Sequence, residues 1–459
     1  MMASKDEKQQ TQDESSAAKK TKKHKKREDN WRPQGPRDPF AMLNELPEEK
    51  QQELQRALHL FNLGPTLPRT LEQAKKHQYR FWDTQPVPKL DGAVTSHGPI
   101  AVEERSVRTE PYSLPQGFSW DTLNLSSAAV LKELCTLLSE NFTQDDDNTI
   151  RLGFSEEYLK WALQCPQWLP QWHCGVRVHS NKKLVGFIAA VPADVKVYDK
   201  EIKMVQVRLL CVHKKLRLKR MTPVLIRELT RRVNQQGTLQ ALYTADIVLP
   251  TPLSTCKYWH RPLNPRKLMD LNYSGVKQNI GVQTAVKINK LPDVIKTQGL
   301  RPMTTDDIAA VHSLLQSNKS MFDLSTSFSV EEVEHWLLPR ENLVYSYVIQ
   351  GEDGGLTGAF SFYGLSSKVL NHFLHTELRE AQLLFCICSS ADPVELMQDA
   401  LILAKKKGFD IFRALDVMDN KSFLEKLKFN ISSNSLNFYL YNWQCPTINP
   451  DKVGFVLAS

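Results

Sequence analysis

The sequence predicts an α/β fold made by duplication, and three observations carry that prediction. The chain has 459 residues, more than one hydrophobic core usually organises, so two domains or one doubled unit are expected. Two apolar periodicities lie side by side: alternation in LVGFIAAVP and DVKVYDKEIKMVQVRLLCV, and helical spacing in SSAAVLKELCTLLSENF. The order strand, helix, hairpin, strand, helix also occurs twice. It starts at FSWDTLNLSS and again at GLRPMTTDDIAAVHSLLQSN, the second time passing through LVYSYVIQGEDGGLTGAFSFYGL and AQLLFCICSS to ELMQDALILAKKKGF. A layout repeated without its residues points to a duplicated unit rather than two unrelated domains.

Taken in order, residues 1–38 read as a disordered basic tail, polar and almost free of apolar residues. Lys19, Lys20, Lys22, Lys23, Lys25, Lys26 and Arg27 supply much of the chain's formal net charge of +8. Such a run either draws the chain to a ribosome or an anionic membrane surface, or only keeps it soluble. With no aromatic residue interleaved beyond Trp31 it is not read as a specific nucleic-acid site. Residues 39–78 form a linker, helical and then Pro-rich (GPTLPRT). Residues 79–290 and 291–459 are the two globular halves.

Composition excludes several classes. With 41% hydrophobic and 24% charged residues the chain is of ordinary soluble type, and no run of about 18 apolar residues could span a bilayer. The start, MMASKDEKQQ, lacks an apolar signal core, so a cytoplasmic location is expected. The 8 cysteines and 12 histidines are dispersed without metal-ligand spacing, which fits reduced thiols and no metal. Cys386 and Cys388 read as one face of a strand.

The most informative stretch is VRLLCVHKKLRLKRMTPVLIREL. Val207, Leu209, Leu210 and Val212 alternate as a strand. Lys214, Lys215, Arg217, Lys219 and Arg220 make a basic turn, and Thr222 and Pro223 open an amphipathic helix. A helix N-terminus presents unpaired N–H groups at the positive end of its dipole. With arginines added, the fitting ligand is a diphosphate; the competing reading is a solvated basic turn. No G-x-x-x-x-G-K-[ST] occurs, so nucleotide triphosphate hydrolysis is not expected.

This strand, turn and helix resemble the acyl-CoA pyrophosphate motif of the GNAT acyltransferases. Together FWDTQPVPK, WLPQWHCGVRV, LCVHKKLR, YWHRPLNPRKL, EEVEHWLLPRENLV and FLEKLKF with YLYNW resemble the eukaryotic glycylpeptide N-myristoyltransferases, in order from Tyr79 to Leu457. The resemblance implies two GNAT-like mixed-sheet halves related by a pseudo-two-fold axis. It implies transfer of a C14 acyl chain from myristoyl-CoA to the amine of an N-terminal glycine, by a monomer without metal or prosthetic group. By position, Tyr79, Arg80, Phe81 and Trp82 match the segment lying over CoA. Leu209, Leu210, Cys211 and Val212 match the strand along the acyl-CoA, with the backbone amides of Leu209 and Leu210 as oxyanion hole. Arg217, Leu218, Lys219, Arg220, Met221 and Thr222 match the diphosphate turn. On the acceptor side the matches are Asp145, Asp146 and Asp147, then Ile150, Leu152, Phe154, Arg208, Tyr243, Gly275, Ser433 and Leu436. For the three aspartates a solvated turn is the rival reading.

A thioester is already activated, so the chemistry asks only for a positioned amine, a polarised carbonyl and removal of one proton. An α-amino group titrates near 8, so a weak base suffices. The resemblance assigns that role to the terminal carboxylate, here on Ser459 at the end of the apolar VGFVLAS, with the Thr244 hydroxyl orienting the amine. Several positions depart from the family: Arg208 stands at an Asn position, Gln206 at an acid, and Leu218 at a Ser. Gly275 stands at a His, and FNISSN at a Gly-rich loop whose Asp is replaced by Ser433. Ser459 lies one residue beyond the usual end. The expectation is an N-myristoyltransferase with altered acceptor preference; the alternative is a catalytically weak acyl-CoA-binding paralogue.

Overall fold

Alternating apolar residues build one large mixed sheet. The computed structural model describes residues 67–457 apart from 91, 93, 95, 102–106, 143–149, 274–279 and 390, and only the backbone at 218. The basic tail, most of the linker, Asp145, Asp146, Asp147, Gly275 and Ser459 therefore lie outside the described residues.

The strands of the first half are β1 (Phe118–Thr122), β2 (Ile150–Gly153), β3 (His173–Val178), β4 (Leu184–Val197), β5 (Lys200–Val212), β6 (Ala241–Ala245) and β7 (Ser254–Pro262). Those of the second are β8 (Leu300–Pro302), β9 (Leu324–Ser327), β10 (Val344–Gln350), β11 (Leu356–Val369), β12 (Glu377–Cys388), β13 (Ile411–Leu415) and β14 (Asn430–Tyr441). The longer helices are α1 (Ala128–Asn141), α2 (Glu156–Leu163), α3 (Met221–Asn234), α4 (Ile308–Lys319), α5 (Val330–Leu337) and α6 (Pro393–Lys406).

The sheet runs β1-β3-β4-β5-β6-β14-β7-β13-β12-β11-β10-β8, with β2 added beside β11 and β9 beside β4. Its pairing repeats. On one side β4 and β5 are antiparallel, β5 and β6 parallel, and β6 and β14 antiparallel. On the other, β11 and β12 are antiparallel, β12 and β13 parallel, and β13 and β7 antiparallel. The duplicated layout thus reappears as duplicated pairing, and the last strand of each half sits beside the other half's strands. That exchange draws residues of both halves into the main core, from Leu131 and Leu134 of α1 through Leu209 to Phe385, Phe438 and Leu457.

Two local expectations change. LVGFIAAVP and the start of DVKVYDKEIKMVQVRLLCV, read as two alternating stretches, form one strand, because β4 continues through Pro192 to Val197. Proline is tolerated there because β3 pairs β4 only as far as Ala189 and β9 pairs it only from Asp194 on, so on that edge no partner needs the missing N–H. FNISSN is not a free loop: Asn430–Ser435 belongs to β14, which slips register against β7 between Ile431 and Ser435. Ser433 is exposed on that slip.

Candidate active site

The site begins with an irregularity in β5. Phe187 faces Cys211 and Ala189 faces Arg208, so Ile188 alone lies opposite Leu209 and Leu210. Leu209 takes φ +53°, a region costing a leucine about 1–2 kcal/mol. Burial of its side chain in the main core, at 4% exposure, holds it there. Such a β-bulge interrupts the ladder and re-aims backbone N–H groups. It falls on Leu209 and Leu210, the two residues whose amides the family resemblance implies as an oxyanion hole.

Beyond Cys211 and Val212 the chain enters the basic turn. Lys214–Lys219 wind as a 3₁₀ turn, and Arg220, at φ +54°, is the N-cap of α3. The helix therefore starts at Met221, one residue earlier than Thr222, and no side chain caps it, which leaves its first N–H groups for water or an anion. Lys214, Lys215, Lys219 and Arg220 are exposed. The turn is tied to the end of α1 by the buried Asn141. Its Oδ1 accepts from the Lys214 N–H at 3.0 Å, its carbonyl accepts from Arg217 Nη2 at 2.5 Å, and its Nδ2 donates to Leu137 O at 2.8 Å.

The segment at Tyr79–Trp82 lies against the same sheet. Tyr79 is buried and donates through its hydroxyl to Val248 O at 2.6 Å, so its own role in the fold is an anchor. Phe81 meets Trp82 edge-on, Trp82 stacks on Tyr243 at 5.5 Å, and Tyr243 stacks on Tyr439 of β14 at 5.1 Å. Arg227 of α3 lies 5.6 Å over Phe81, and Arg80 is exposed. Thr244 follows Tyr243 on β6, opposite Phe438.

The chain's last described residues approach from the other side. Val453 is fully buried beside Leu324, Thr326 N donates to Phe455 O, and Phe455 packs on Phe328 and Phe385. Gly454 allows the passage, since a Cβ there would lie 2.7 Å from the Phe322 ring. Gln206 Nε2 donates to Leu457 O, and Gln206 Oε1 accepts from Arg208 Nη2 at 2.9 Å. Arg208 is 2% exposed and lies 5.1 Å from the Trp336 ring centroid. Burial holds the nearby thiols protonated, with Cys211 and Cys165 both pushed up to about 12.

The remaining acceptor-side matches lie on or near strands of both halves. Ile150 and Leu152 lie on β2 beside β11, and Phe154 packs on Phe142 and Tyr158. Leu436 is buried opposite Cys256. Arg413 lies 4.9 Å over Tyr258 and 3.5 Å from Glu380, and His260 is buried with both ring nitrogens unbonded. Sequence reasoning assigned no role to Asn141, Trp336, Tyr439, Arg413 or Glu380; Trp336 and Tyr439 lie within EEVEHWLLPRENLV and YLYNW, which carry the family resemblance, and no local pattern marks the other three. Among the described residues no cluster of His, Cys, Asp and Glu could hold a metal.

Known proteins similar to this chain share one family. The family model described as "Myristoyl-CoA:protein N-myristoyltransferase, N-terminal domain" matches residues 99–256, and its C-terminal counterpart matches residues 270–456. A Danio rerio protein named glycylpeptide N-tetradecanoyltransferase 2 is 55% identical over 412 residues, covering 90% of this chain and 84% of its own. The Bos taurus protein of the same name is 52% identical, over 91% of this chain and 84% of its own. Among solved structures, Saccharomyces cerevisiae N-myristoyltransferase with bound myristoyl-CoA superposes with a TM-score of 0.80 at 37% identity. That match covers 83% of this chain and 99% of the yeast one.

Proposed function

This chain belongs to the N-myristoyltransferase family, with myristoyl-CoA as acyl donor, and from that premise we propose how its residues carry the reaction. The donor's diphosphate rests on the basic turn at Arg217, Lys219 and Arg220 and on the uncapped start of α3, with Leu218, Met221 and Thr222 as its backbone frame. The thioester carbonyl points its oxygen at the N–H groups of Leu209 and Leu210, and the bulge is the observation that carries this reading. The glycine amine of the acceptor, oriented by Thr244, attacks the carbonyl carbon. The C–S bond breaks, the CoA thiolate leaves and is protonated, and the amine gives its extra proton to a base. The terminal carboxylate of Ser459 is the proposed base; Ser459 lies outside the described residues, and the path of Val453–Leu457 toward Gln206 supports the assignment.

Acceptor residues beyond the glycine lie along Ile150, Leu152, Phe154, Tyr243, Ser433 and Leu436, with Asp145–Asp147 and Gly275 outside the described residues. In this reading residues 79–290 chiefly hold the donor and residues 291–459 chiefly hold the acceptor. Cytosolic residence rests on a start without an apolar signal core, the monomer on the family resemblance, and association with a ribosome or an anionic membrane surface on the charges at residues 19–27.

Direct aminolysis needs no acyl-enzyme, and the protonated Cys211 and Cys165 support that route. Intact-mass spectrometry after mixing with myristoyl-CoA alone should find unmodified protein, and adding a Gly-initiated peptide should give acyl-peptide. A myristoylated chain that then hands its acyl group to the peptide would overturn direct transfer. A second reading, acyl-CoA binding without transfer, is favoured by one observation, the cation of Arg208 beside the bulge.

A further inference from the structure

Arg208 is the least compensated charge near the bulge. It is 2% exposed, yet among the described residues only Gln206 Oε1 accepts from it, at 2.9 Å, and its Nε is buried without a partner there. Its surroundings are neutral: Tyr158, Cys165, Tyr363 and the Trp336 ring. Among the described residues no carboxylate comes within ion-pair distance. Gln206 cannot neutralise it, because an amide carries no charge; it offers Arg208 one acceptor and spends its N–H on Leu457 O. A buried cation costs several hydrogen bonds' worth of lost hydration unless an anion meets it, and the ring contact offsets only part of that.

The missing anion does not come from the donor's phosphates, and the terminal carboxylate of Ser459, outside the described residues, is committed in the reaction proposed above to the acceptor's amine. The phosphates belong to the basic turn beyond Val212, whereas Arg208 precedes the bulge and shares its face with Gln206 and the incoming segment Val453–Leu457. In the reaction proposed above that segment brings the base to the acceptor's amine, which puts the acceptor on this side. Building on the transfer reaction proposed above, we propose that Arg208 is a specificity-determining residue that receives a carboxylate carried by the acceptor next to its reacting amine. Two acceptor chemistries supply one: an acidic side chain following the N-terminal glycine, or the α-carboxylate of a free amino acid. A planar guanidinium binds either in a bidentate fork. The exposed, uncharged Ser433 on β14 leaves that position without an acid to favour basic acceptors.

The test compares a Gly-Asp-initiated peptide amide, its Gly-Asn counterpart and free glycine in single-turnover transfer from myristoyl-CoA. Equilibrium binding of each to the myristoyl-CoA-loaded chain is measured in parallel, so charge preference is read even without turnover. A charge-assisted contact predicts that Gly-Asp exceeds Gly-Asn by at least about tenfold. The ratio should fall toward one in Arg208→Gln and keep its direction in Arg208→Lys. Free glycine outpacing both peptides would identify the amino acid's own carboxylate as the source. Equal use of Gly-Asp and Gly-Asn, or the same preference in Arg208→Gln, would overturn the inference while leaving the transferase reading intact. Donor binding with acid-selective acceptor binding and no transfer would do the reverse.

Discussion

Replacing Asn141 by alanine should weaken acyl-CoA binding without touching the bulge. The side chain accepts from the Lys214 N–H at 3.0 Å and donates to Leu137 O at 2.8 Å, so both bonds vanish, while the Asn141 carbonyl can still accept from Arg217. At about 1 kcal/mol for each lost bond, and more if the Lys214 N–H stays unpaired, the turn loses about 2–3 kcal/mol. If that loss falls wholly on the ordering of Lys214–Arg220, donor affinity drops by up to about 30–150-fold. Leu209 and Leu210 are held by their own ladder with β4, so turnover at saturating donor should stay within about threefold of wild type. Calorimetric titration with myristoyl-CoA gives the affinity, and single-turnover kinetics at saturating donor give the step. Asn141→Asp keeps the acceptor for Lys214 but adds a negative charge beside the diphosphate site, so it should also bind more weakly, and more so at low salt. Wild-type affinity in Asn141→Ala, or lost turnover with affinity intact, would refute the reasoning.

Other expectations follow from the same geometry. Leu209→Gly relieves the backbone at φ +53° but empties a core position, so it should cost about 1–2 kcal/mol in chemical denaturation and retain transfer; Leu209→Pro, with neither the φ nor the N–H, should abolish it. Gln206→Leu releases both Leu457 and Arg208, and should slow transfer more than about tenfold with donor affinity within about twofold, read by the same two assays. His173, fully buried and stacked on Trp168, is held at about 4 by burial, below the ordinary 6.5. The unfolded chain therefore takes up the proton first as pH falls below about 6.5, and the stability present above that value is lost progressively down to about pH 4. His173 accounts for about 3 kcal/mol of that loss; denaturation midpoints at pH 7 and 4.5 should differ accordingly, and less in His173→Asn.

What was legible in the sequence was what is local. The alternation of Val207–Val212, the cations after it and the amphipathic run beyond are nearest-neighbour facts, and strand, turn and helix lie where they point. The bulge was not legible, because a leucine at φ +53° contradicts its own preference and is imposed by register with Ile188. Asn141 reads as an ordinary helix residue, and it becomes a clamp only because Lys214 and Arg217 return to it from over seventy positions away. Arg208 could be noticed as a cation in an odd place, but its isolation depends on Trp336, Tyr158 and Tyr363, brought from three other elements. The exchange of β7 and β14 between halves likewise has no local signature, since strand order is decided by long-range pairing.

Single-turnover transfer from myristoyl-CoA to Gly-initiated peptides, read by mass spectrometry with donor binding measured on the same sample, bears most directly on the whole account. Tight donor binding is expected, with an amide-linked myristoyl group on the N-terminal glycine and the same peptides starting in alanine left unmodified. Tight donor binding with no acylated peptide from any glycine acceptor would contradict it, and would leave the basic turn as a binding site that serves no transfer.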